Sequence, residues 1–71
     1  MERIFAHRIV CQGQLYRNHV AELNDDGVLR FFPFEREIPM TRFYSGTVEL
    51  VIFAGRLAVR PIADYPREAL L

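Results

Sequence analysis

Val20-Ala21-Glu22-Leu23, followed by Asn24-Asp25-Asp26-Gly27 and then Val28-Leu29-Arg30-Phe31-Phe32-Pro33-Phe34, is the stretch that decides the fold. Apolar and polar residues nearly alternate up to Asn24, and a period of two sends one side of a strand into a core and the other toward solvent. The Asn-Asp-Asp-Gly run supplies side-chain oxygens that bond nearby backbone, and a glycine free to take positive φ, which is the chemistry of a hairpin turn. β-Branched and aromatic residues resume directly after it. Turn and flanks therefore agree on an antiparallel β pair.

The same signal spreads outward from this hairpin. From Arg3 to Val10 the apolar residues Ile4, Phe5, Ala6, Ile9 and Val10 form no helical stripe and run into the breaker Gly13, which predicts a strand. Downstream, Pro33 and Pro39 bracket Glu35-Arg36-Glu37, and two prolines without N–H donors predict an edge or a loop. A short strand is expected at Thr41 to Tyr44. After Ser45-Gly46, the run from Thr47 to Phe53 is apolar on both parities, as in a strand buried on both faces. Ala54-Gly55 is the size of a two-residue turn into a strand from Arg56 to Arg60, which Pro61 is expected to end. We expect an all-β chain of about six short strands, a small sandwich or barrel-like composite. One domain spans residues 1–62, and a tail over 63–71 carries Pro66 at the start of a possible helical turn.

Composition narrows the function classes. A chain of 71 residues holds one small domain, 51% hydrophobic and 25% charged, far from the signature of disorder. Nine basic and nine acidic residues cancel, so no long-range field gathers nucleic acid or an anionic membrane. Every basic residue is Arg, which fits either a surface of bidentate carboxylate contacts or a coding bias. The single cysteine, Cys11, excludes an internal disulfide and a thiolate metal cage and fits a reducing compartment. His7-Arg8 interrupts the N-terminal apolar residues, so no secretory h-region forms there, and no apolar run approaches the ~18 residues of a membrane span. The expected protein is soluble and cytoplasmic.

Candidate chemistry fails on spacing. His7 and Cys11 invite a thiol–base pairing, yet four residues of strand span about 13 Å, well beyond the reach of an activating hydrogen bond. His19 beside Asn18 reads as a turn histidine, and two histidines with one cysteine at unrelated spacings make no metal motif. Ser45 lacks the strand and glycine context of a nucleophile elbow, and Gly13, Gly27, Gly46 and Gly55 are scattered singly instead of forming a phosphate loop. The acids Asp25, Asp26, Glu35 and Glu37 sit where a turn and an edge loop need solvated residues. Phe31, Phe32 and Phe34 lack the interleaved basic residues of a base-stacking platform and read as core or interface.

The order Ala6, Ile9-Val10, Gly13, Leu15, Asn18, Val20, Glu22-Leu23, Asp26-Gly27, Leu29 and Phe32 resembles the opening of metal-dependent amidohydrolases of the urease, dihydroorotase and imidazolonepropionase group. Val51 to Val59, with Gly55-Arg56-Leu57, is similar to the last hairpin of the same small β domain, which in that family returns after the catalytic barrel. Thr41-Arg42-Phe43-Tyr44-Ser45-Gly46 looks like the link into that barrel, with Ser45 where the family has proline. Carrying the register forward puts Glu49 at the acid of the family's Asp-x-His-x-His motif but Val51 and Phe53 at its metal-binding histidines. The resemblance implies the composite β domain of these hydrolases without barrel, bridging lysine or metal ligands. It implies no catalytic, cofactor or metal residue in this chain.

Three functions remain: a non-enzymatic β module that associates with itself and is a candidate to bind a protein partner, an accessory subunit that docks on a separately encoded hydrolase, and a small-ligand binding module. We expect the first, as a homodimer, because a core of ~70 residues supplies only about 3–5 kcal/mol and this chain has more apolar surface than one sheet face covers. Phe34 and Leu70, in the apolar tail end Ala69-Leu70-Leu71, are the expected contact residues. Genomic neighbourhood separates the second reading, and a formed apolar pocket the third.

Overall fold

The hairpin turn at Asn24 to Gly27 closes through the Gly27 N–H to the Asn24 carbonyl and the Asn24 N–H to the Val28 carbonyl, with Gly27 at φ 83°. It joins two of five strands in a computed structural model that describes residues 1–62. The strands are β1 (Glu2–Cys11), β2 (Gln14–Leu23), β3 (Leu29–Pro33), β4 (Thr41–Phe53) and β5 (Arg56–Ile62). They form one mixed sheet in the order β3-β2-β1-β4-β5, with β1 and β4 parallel and the other neighbours antiparallel. The described residues are all-β, as expected. Five strands replace the expected six because the segments 41–44 and 47–53 are one strand. The possible helical turn after Pro66 lies outside the described residues.

The first strand lies beside the last hairpin: β1 pairs with β4 from Arg3↔Thr41 to Val10↔Glu49. That ladder shifts register between Ala6 and Arg8, where β4 accommodates an extra residue at Ser45-Gly46. Gly46 takes φ 81°, a conformation that costs an L side chain about 1–2 kcal/mol. Next to His7 on the other side, Asn18 of β2 also has positive φ, 55°. The three irregular positions lie in one row across the central strands and crease the sheet.

The crease explains the burial pattern. Ile4 and Ala6 precede it and Ile9 and Cys11 follow it, an odd step that keeps all four in the same core cluster. Ala21 and Leu23 of β2, Val48 and Leu50 of β4 and Leu57 of β5 complete that cluster, with Tyr16, Leu29, Phe31, Tyr44 and Val59 packed against it. The bend also brings Glu2, beside the start of β4, to Arg56 and Leu57, which pair with its far end.

The opposite face carries a smaller apolar layer. Phe32, Val20, Phe5 and Phe43 stand in register across four strands. The loop after β3 returns over them: the Phe34 ring lies 4.7 Å from Phe5 and 6.1 Å from Phe43, and Arg3 Nη1 donates to the Pro39 carbonyl at 3.0 Å. The three clustered phenylalanines thus divide between faces. Phe31 instead stacks on Tyr16, with centroids 3.9 Å apart and planes 3° from parallel.

Candidate interaction face

Beyond Val10↔Glu49, β4 has outrun the ladder to β1, and its last residues are flanked only by β5. On the side away from the core these two strands make a small grid. Glu49 pairs with Arg60, Val51 with Ala58, and Phe53 with Arg56 across the ladder, all on one parity, while Leu50, Leu57 and Val59 turn inward. Phe53 is 75% exposed and Val51 51%, although the sequence pattern predicts a strand buried on both faces. That expectation holds only as far as Val48, because burial on both faces needs neighbours that the strand end lacks.

Charge frames the apolar pair. Arg60 Nη2 donates to Glu49 Oε1 at one end of the grid. At the other end Arg56 Nε donates to Glu2 Oε2 at 3.0 Å, and Arg42 Nη2 lies 3.6 Å from Glu2 Oε1. The Leu57 N–H donates to the same Glu2 carboxylate at 3.3 Å. Partial burial acts to raise the Glu2 carboxyl, but the hydrogen bonds from Arg56 and Leu57 and the charges of Arg56 and Arg42 outweigh it and hold the group below its ordinary 4.5.

A carboxyl with a depressed folded pKa contributes stability that is complete above its unfolded value and lost as pH falls through the folded one. Part of the fold's stability should therefore disappear as pH drops below 4.5. Urea midpoints measured from pH 7 to pH 3 should show a steeper acid loss for the parent than for Glu2→Gln. Parallel curves would mean that the carboxylate does not hold the bend.

The other candidates from the sequence are dispersed. His7 is exposed at the crease, with Nδ1 3.5 Å from Asn18 Oδ1 and its ring against Phe5, whereas Cys11 is buried in the core cluster, where burial pushes its thiol up. His19 Nδ1 lies 2.7 Å from the Arg17 carbonyl. Asp26 accepts the Val28 N–H within the turn, and the Met1 ammonium holds the Asp25 carboxyl below its usual range. Ser45 is exposed in the crease. Phe34, an expected contact residue, is half-buried in the aromatic layer, and Leu70 lies outside the described residues. Among the described residues no three His, Cys, Asp or Glu side chains gather as a metal site requires, and no helix is long and apolar enough to cross a membrane.

An open groove of about 480 Å³ runs between Cys11, Tyr16, Leu29, Phe31 and Ile52, at the mouth of the bent sheet. A second, of about 560 Å³, lies between Arg56 and the Asn24 to Gly27 turn. No family model, characterised protein or solved structure matches this chain.

Proposed function

We propose that this chain is a non-catalytic β module that works by associating with a second copy of itself. The observation that carries the reading is the outer face of the β4–β5 hairpin, where Val51 and Phe53 stand in the open on a two-stranded support. Contiguous apolar surface rimmed by charge marks contact sites on soluble proteins. The neutral balance of nine basic and nine acidic residues removes net repulsion between identical copies. Dispersal of His7, Cys11, His19 and Ser45 supports the non-catalytic part. A free, buried Cys11 supports a reducing compartment such as the cytoplasm.

In this reading the resemblance to the amidohydrolase β domain is one of architecture, a module standing without the barrel it would flank. The groove at Tyr16 and Phe31 is the observation that favours the small-ligand alternative. Mass action tests the leading reading: association that favours the folded state raises the unfolding temperature with concentration. Thermal melts over about a hundredfold range of concentration should shift upward. A midpoint independent of concentration counts against self-association.

A further inference from the structure

Two routes exist by which one sheet meets another: addition of a strand at an edge, or stacking of faces. The edges of this sheet are blunted. β3 ends in Pro33, and β5 contains Pro61, neither of which has an N–H to donate. The Leu57 N–H of β5 is already given to Glu2. Edge pairing therefore has few donors, and the exposed apolar side chains project from the face.

That face has two columns. β4 presents Glu49, Val51 and Phe53, and β5 presents Arg60, Ala58 and Arg56, in lateral register. A two-fold axis parallel to the strands exchanges the columns, so β4 of one copy lies over β5 of the other. Each residue then meets the type that is its own lateral neighbour. Glu49 faces Arg60, the larger Val51 faces the small Ala58, and the Phe53 ring faces the Arg56 guanidinium, a favourable cation–π partner. An axis across the strands instead puts Arg60 over Arg56 of the other copy, two like charges. Charge thus selects one arrangement.

Resting on the self-association proposed above, we infer that two copies stack the outer faces of their β4–β5 hairpins about an axis parallel to the strands, with Val51 central, Phe53 of each against Arg56 of the other at the hairpin end, and Glu49 of each against Arg60 of the other at the opposite end. All members are accessible for it: the side chains of Arg60 and Glu49 are 75% and 40% exposed, and that of Arg56 76%. Such a contact is isologous and closes at two copies.

The test is a charge exchange followed by sedimentation velocity on parent, Glu49→Arg and Arg60→Glu, each checked for a folded spectrum by circular dichroism. Alone, each variant opposes like charges twice across the axis and should associate about tenfold or more weakly than the parent. Mixed, the two variants restore both opposite-charge pairs, and a one-to-one heterodimer should form. Single variants that associate as tightly as the parent, or a mixture no tighter than its components, would overturn this arrangement while leaving self-association standing. A monomeric parent in the same run would overturn both. Should either charge variant fail to fold, Ala58→Gln places bulk opposite Val51 and should weaken association alone; undiminished association of that variant also overturns the arrangement.

Discussion

Ile9→Ala is expected to leave the chain largely unfolded in water at room temperature. Ile9 is fully buried on the central strand, paired on one side with Tyr16 and on the other with Val48, one position past the register shift that creases the sheet. Truncating a buried isoleucine costs about 2–5 kcal/mol, the transfer of its methyl and methylene groups plus the cavity they leave. A core of this size holds only about 3–5 kcal/mol in total, with no internal disulfide and, among the described residues, no metal-ligating cluster to add to it. The loss is thus comparable with the whole stability. Circular dichroism and urea unfolding should show little cooperative transition in the variant. A full transition within about 1 kcal/mol of the parent would mean that the core as described does not carry the fold.

Much of this architecture was legible in the residues. The Asn24 to Gly27 turn and the Ala54-Gly55 turn both follow from turn chemistry joined to apolar runs. The misreadings have physical causes. Gly46 looked like a terminator because glycine usually ends strands, but here it supplies the positive φ of a bulge and β4 continues through it. β2 begins at Gln14, well before the expected Val20, because Gln14 to His19 is half-exposed and its polar residues hide the alternation. Pro61 was expected to end the last strand, yet β5 runs to Ile62, since an edge strand has one side where no donor is needed.

The interaction face was the least legible part. Thr47 to Phe53 has the pattern of a fully buried strand, and nothing local reveals that β1 stops pairing at Val10. Exposure of Val51 and Phe53 is set by the relative lengths of two strands distant in sequence. For the same reason the expectation fell on Phe34, whose ring the loop after β3 folds back into contact with Phe5 and Phe43.

Phe53→Arg should abolish self-association while preserving the fold. The side chain is three-quarters exposed, so the free chain loses almost no packing when it is replaced, and surface changes of this kind usually stay within about 0.5 kcal/mol. In the stacked pair the same position is enclosed. An arginine there faces Arg56 of the other copy, two like charges, and the apolar contact of the ring is gone from both halves of the interface at once. Loss of an aromatic anchor commonly costs about 2 kcal/mol or more, and two-fold symmetry counts it twice, enough to dissociate a contact of micromolar strength. Monomeric Phe53→Arg with an unchanged circular dichroism spectrum is the expected result. Undiminished association would move the interface elsewhere.

Sedimentation equilibrium of the unaltered chain at micromolar concentration decides whether two copies associate. A mass rising with concentration toward twice the 8.3 kDa of the single chain is expected. A single ideal species of 8.3 kDa, folded and unchanged across the concentration range, would contradict it.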